Sequence, residues 1–239
     1  MRIARAIEPF LPKTKKAAGD QPQPDIDTIL AAIDFGAWNS LATDLQPDLE
    51  STARETVASV FASLDLSNTS DLFALSDKFA LEYAQTRAAE LVGKKWVDGL
   101  LVDNLDARWA ITDTTREELR GLIAEAFAEE WSPAQLSQKI DEAFVFSAGR
   151  AEMIAETETA FAQTAASVNT ATNLGAETKT VQMSNLHDVD DECDDAQAAG
   201  EVPIDEPFPG GSKHVPLHPR CMCVELLHVP DPKKGKSDD

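Results

Sequence analysis

The chain has 239 residues and carries 42 acidic side chains against 21 Lys and Arg, a formal charge of −21. That balance, with only three cysteines and no long apolar run, excludes a membrane-spanning protein, a disulfide-dense mini-domain and a generally basic nucleic-acid binder. Hydrophobic residues make up 43% and aromatics 6%, so a core must rest on Leu, Ile, Val and Ala.

Charge is uneven along the chain. Residues 1–16 hold Arg2, Arg5, Lys13, Lys15 and Lys16 against the single acid Glu8, a basic arm ahead of an acidic body. Such a body repels phosphates at long range, so any contact with DNA is expected locally, through the arm. Glu8, Pro9 and Pro12 interrupt the apolar stretch a signal peptide needs, which places the chain in a cytoplasm with its cysteines starting as thiols. Residues 17–25, AAGDQPQPD, read as a linker.

From Ile26 to about Leu105 the pattern is helical and Ala-rich, with breaks near Leu66–Ser70 and at Gly93. Apolar residues recur at helical spacing through Ala53, Val57, Val60, Phe61 and Leu64, then Leu72, Leu75, Phe79 and Tyr83, which predicts a helical bundle. Thr114 with Glu117 fits a capping box for a helix reaching about Trp131, with Leu119, Leu122, Ile123, Ala126 and Phe127 on one face. Ser132, Pro133 and Gln135 restart a helix whose stripe is Leu136, Ile140, Ala143 and Phe144. As a DNA-reading pair these two helices are opposed by their charge: Glu125, Glu129, Glu130, Asp141 and Glu142 against Lys139.

A long helix is expected from about Ala148 to Leu174, stopped by Gly175. Helical periodicity then disappears. Short runs at Thr178–Val181, Val202–Ile204 and Cys223–Val229 predict a small, irregular β-region packed on the long helix, and the polar residues 230–239 a disordered tail. The expected fold class is α+β, mostly α: an N-terminal helical bundle followed by that β-region.

Two groups of residues could carry chemistry. On the long helix, Ile154, Phe161, Ala165 and Val168 share a face with Glu158 at its centre. A carboxylate there is a buried member of a pair with Arg150 or Arg220, a boundary residue, or a catalytic group. Cys193, His218, Cys221 and Cys223 form the second group, with His214 nearby. Thiolates and an imidazole are the ligands of tetrahedral zinc, and four of them make a closed, structural site; the alternatives are three unmetallated thiols or a disulfide from Cys193 to Cys221 or Cys223 formed after release from the cell. The acidic run of residues 188–195 lacks the Gly and Glu of an EF-hand and reads as a solvated turn. No phosphate loop, G-x-S-x-G elbow or H-E-x-x-H helix occurs in the sequence.

Taken in order, RAEMIAETET at 150–159, Cys193 after the acidic run, GEVPIDEPFPGG at 200–211 and PLHPRCMC at 216–223 resemble the C-terminal domain of the phage Mu F-like minor head proteins, the phage head morphogenesis family. The matching positions are Arg150, Ala151, Ile154, Ala155, Thr157, Glu158, Cys193, Gly200, His218, Pro219, Cys221 and Cys223. Glu156 stands where many members carry Arg. Asp194, Asp195 and Ala196 stand where many carry a second cysteine, which leaves His218 as the fourth ligand of any zinc site.

The resemblance divides the chain into a basic arm and linker (1–25), a helical region (26–108), the family-like domain (109–229) and a tail (230–239). It implies a structural motif of Arg150, Thr157, Glu158, His218, Pro219 and Arg220. It also implies a virion component inside the head, made in the host cytoplasm and associated with portal, capsid or scaffold proteins, that acts in head assembly and in DNA packaging or ejection, with no membrane and no turnover. The competing class is an enzyme or toxin-like effector using Glu158, His218 and Arg220 as an acid–base and anion-binding set.

Overall fold

A computed structural model describes residues 7, 9, 25–64, 70–107, 110–129, 131–143, 147–187 and 190–229. The expected linker at 17–24, Glu130, Phe144 and the tail lie outside them. In chain order the elements are α1 (Ile26–Ala31), a 3-10 turn (Gly36–Ser40), α2 (Leu41–Asp44), α3 (Gln46–Ser63), α4 (Ser70–Leu91), β1 (Lys94–Val97), β2 (Leu100–Asp103), α5 (Ile111–Ala128), α6 (Pro133–Glu142), α7 (Ala148–Asn173), β3 (Thr178–Gln182), α8 (Glu192–Ala198), β4 (Val202–Pro203) and β5 (Val224–His228). The fold is α+β and mostly α. No described helix is long and apolar enough to cross a membrane. Two compact units form, each from two stretches: residues 1–44 with 86–152, and 45–85 with 153–239.

In the first unit, the apolar stripe of α5 meets α6 and α1 in a core of Ile29, Leu30, Ile33, Phe35, Leu119, Ile123, Leu136 and Ile140. Ile7, from the basic stretch, is fully buried in the same core. The Ser132–Gln135 capping box starts α6 as its sequence predicts, with both reciprocal bonds made.

Three expectations fail in this unit. The helical run does not reach Leu105: α4 ends at Leu91, Gly93 turns the chain at φ +70°, and residues 94–103 form an antiparallel hairpin. Its two-residue turn is Asp98-Gly99, both left-handed at φ 50° and 77°, the Asp-Gly signature of a type I′ hairpin. Thr114 does not cap α5, which begins at Ile111 after Ala110; its hydroxyl instead bonds back to the Ala110 and Ile111 carbonyls. The helix also stops at Ala128, short of Trp131.

In the second unit, α3, α4 and α7 pack through Ala53, Val57, Phe61, Ala80 and Ala166. Small residues let these helices approach closely, so the buried stripe of α4 runs through Ser76, Ala80 and Ala84, while Leu75 is half exposed. The same shift occurs on α7. Ile154, Phe161, Ala165 and Val168 are only partly buried, and the covered line is Thr157, Glu158, Ala162, Ala166 and Thr170.

The end of α7 follows its sequence. Gly175 at φ +89° closes it, with the Gly175 N–H bonded to the Thr172 carbonyl and the Ala176 N–H to the Ala171 carbonyl, the paired bonds of a Schellman motif. Beyond it, β3 pairs antiparallel with β4 on one side and β5 on the other. All three strands lie where β-branched runs predict them.

One lysine organises the loop after β4. Lys179 on β3 is fully buried, and its ammonium donates to the carbonyls of Ile204 at 2.8 Å, Glu206 at 2.6 Å, and Lys213. It also lies 4.9 Å from the centre of the Phe208 ring. Burial pulls its pKa below the ordinary lysine value. Three carbonyl acceptors and an aromatic face are what a buried ammonium needs in place of water.

Candidate metal centre

Between β3 and α8 the chain folds back so that the acidic run becomes a helix start rather than a solvated turn. Asp191 is the N-cap of α8: its side chain accepts from the Cys193 N–H at 2.8 Å, and Asp194 reciprocates by accepting from the Asp191 N–H at 3.0 Å. Carboxylates in the first turn suit the positive end of the helix dipole. Asp194 is held below the ordinary carboxylate range, first by that backbone N–H and then by His187. The same cap places Cys193 in the first turn of α8 with no exposed surface.

The C-terminal ending supplies the facing groups. Glu225 on β5 accepts from His214 Nδ1 at 2.8 Å and from the Val215 N–H at 3.0 Å, which fixes the approach of the HPRCMC segment. His214 is thereby committed to Glu225. The Cys221 N–H then bonds to the His218 carbonyl at 3.1 Å, making a tight turn with Arg220 in the left-handed region at φ 60°.

The result is a cluster of soft and borderline donors centred on Cys193. Its Sγ lies 3.6 Å from Cys221 Sγ and 3.3 Å from His218 Nε2, and these three ligand atoms all lie within 4.8 Å of one another. A second triad within the same limit joins Cys193 to Cys223 and His187. Burial pushes the Cys193 thiol well above its ordinary value, with Cys223 and Cys221 adding to the rise, and it raises Cys223 as well. All three cysteines are unbridged.

Cys193 therefore meets the other sequence-derived ligands in two triads, His218 and Cys221 in one and Cys223 in the other. Missing from that set was His187, whose Nε2 sits 3.0 Å from Asp194 Oδ2 and 3.6 Å from Asp191 Oδ1. Asp191 was missed too; its Oδ2 is 3.3 Å from His218 Nε2. The available signal was the D-x-x-D pair at 191 and 194, which caps a helix at that point and turns Cys193 and the preceding loop toward each other.

The other motif residues divide between the two units. In the first, the buried Arg150 guanidinium donates to Thr115 Oγ1 at 2.9 Å, to the Ile111 carbonyl at 3.3 Å, and to Thr114 Oγ1. It thus ties the start of α7 to the first turn of α5. In the second, Thr157 and Glu158 are both buried, and the Arg220 N–H donates to Thr157 Oγ1 at 3.1 Å. The Arg220 side chain pairs with Glu156 at 3.5 Å. Pro219 contributes its carbonyl, which accepts from His218 Nδ1 at 2.9 Å. Of the acid–base set expected for an enzyme, Arg220 is thus turned to Glu156 and His218 to the thiols and Asp191.

Compared with known proteins, the chain matches no family model, no curated protein and no solved structure at a significant level.

Proposed function

We propose that this protein is a minor head protein of a tailed phage or prophage, a structural component inside the head that associates with the portal and acts in head assembly and in DNA packaging or ejection. One observation supports this reading above the others. Three of the segments that carry the resemblance, far apart in sequence, bring residues together in the second unit: Thr157 bonds to Arg220, and Cys193 packs on His218 and Cys221, while Arg150 serves the first unit. A set of sparse motif residues that build a common joint is what a shared domain architecture requires.

The charge fits the role. An acidic body, in a chain whose net charge is −21, does not adhere to incoming DNA, while the basic residues of the arm offer a local contact to DNA phosphates or to an acidic surface on portal, capsid or scaffold. Such a protein is made in the host cytoplasm and ends in the virion, and it performs no turnover. Quantitative peptide mass spectrometry on purified particles and empty proheads of the encoding phage tests this. A fixed, low ratio to portal protein is expected; absence from both particles and proheads overturns it.

A further inference from the structure

The imidazole of His218 bears on what the cysteine cluster can bind. Its Nδ1 sits 2.9 Å from the Pro219 carbonyl, an atom that only accepts, so Nδ1 carries the proton and Nε2 presents a lone pair in the neutral ring. That lone pair faces Cys193 Sγ and Asp191 Oδ2, each at 3.3 Å. Electron-rich atoms converge there on one point, beside Cys221 Sγ at 3.6 Å from Cys193 Sγ and with Cys223 also against Cys193. A bound cation in place of the thiol protons would satisfy all of these donors at once.

We propose that the cluster is a zinc site in which the thiolates of Cys193, Cys221 and Cys223 and Nε2 of His218 are the four ligands. Around tetrahedral zinc, sulfur–sulfur edges are about 3.8 Å and sulfur–nitrogen edges about 3.6 Å, close to the 3.6 Å and 3.3 Å that separate Cys193 Sγ from Cys221 Sγ and from His218 Nε2. The surrounding groups have the form of an outer shell. Pro219 fixes the His218 tautomer by its carbonyl, and Asp191 holds Cys193 by its N–H while facing the imidazole. Four protein ligands leave no position for substrate, so the site is structural. It ties the first turn of α8 to the HPRCMC ending, in a core where three of the eight buried members are cysteines. His187 is the other imidazole beside Cys193 and Cys223, but its Nε2 is engaged by Asp194, and it acts as a positioning residue. The inference stands apart from the head-protein reading, since particle composition and metal content are measured separately.

The test uses the full chain purified under reducing conditions, with zinc measured by elemental mass spectrometry and cobalt(II) as a spectroscopic probe. About one zinc per chain is expected, with cobalt giving intense tetrahedral ligand-field bands and thiolate charge-transfer absorption. His218→Ala should abolish stoichiometric zinc, and Asp191→Asn should weaken zinc binding about tenfold to a hundredfold. His187→Ala should keep one zinc per chain. Should Cys193→Ser not fold, the wild-type chain still decides the matter, because a chelator must then release its zinc and lower its melting temperature together. A folded wild-type chain that holds no zinc, shows only weak octahedral cobalt absorption and keeps three freely reactive thiols overturns the site. A requirement for His187 with none for His218 overturns the ligand assignment.

Discussion

The Arg220 N–H donates to the Thr157 hydroxyl at 3.1 Å, joining positions 63 residues apart in the chain. The same hydroxyl donates to the Met153 carbonyl at 2.7 Å, so it closes the α7 turn and receives the C-terminal ending at once. Thr157→Val keeps the shape and removes both bonds, leaving the N–H of a left-handed residue without its acceptor. The variant should lose about 1–2 kcal/mol in urea denaturation, with Thr157→Ser losing less. Equal stability of the valine variant and wild type would mean that the joint contributes nothing.

Lys179 makes a sharper demand. Its ammonium is the common donor to three carbonyls from a loop that contains little regular structure. Lys179→Met retains volume and orphans those acceptors, at an expected cost of about 3 kcal/mol. Hydrogen exchange locates the loss: amides of residues 204–213 should lose protection more than those of α3. Uniform loss across the second unit would show that the lysine serves its strand rather than the loop.

What could be read in advance followed from local chemistry. Ser132-Pro133 and Gly175 announce helix ends because capping depends on residues within one turn, and β3, β4 and β5 stand where β-branched runs occur. The hairpin at 94–103 was equally local, in Asp98-Gly99, but a long alanine-rich pattern drew the helix past it. Other features depend on partners that periodicity does not see. Alanine faces bury on α4 and α7 because other small residues meet them, and Thr114 sits beneath Arg150 instead of capping α5. At the cysteine cluster, cysteine and histidine identity pointed to Cys193, His218, Cys221 and Cys223. Asp191 and His187 joined only through the path of the loop between β3 and α8.

The hairpin supplies a pH test. Lys94 Nζ lies 2.6 Å from Asp103 Oδ1 across the strands, and this bond, then the lysine charge, hold the Asp103 carboxyl below its ordinary value of 3.8. A carboxylate with a depressed folded pKa contributes stability above the unfolded value, and that contribution is lost as pH falls through the folded one. Both groups are near solvent, so the effect on global stability is small. A side-chain NMR titration should place the Asp103 midpoint below 3.8, and Lys94→Gln should raise it toward the ordinary value. An unchanged midpoint in that variant would show that the pair does not persist in solution.

Ile7 separates the two roles of the basic N-terminal stretch. With no exposed surface and with Ile29, Leu119 and Ile123 in its core, it is a packing residue rather than part of a free tether. Ile7→Ala should cost about 2–4 kcal/mol, read as a lowered midpoint of thermal or urea unfolding. Replacing Lys13, Lys15 and Lys16 together by Gln removes charge while keeping Ile7, and should leave stability within about 0.5 kcal/mol of wild type. The same triple variant should weaken and flatten the salt dependence of any residual DNA binding, because fewer phosphates are neutralised. If Ile7→Ala is silent while the lysine variant unfolds, the stretch acts through its charge, and its anchoring in the core has no energetic weight.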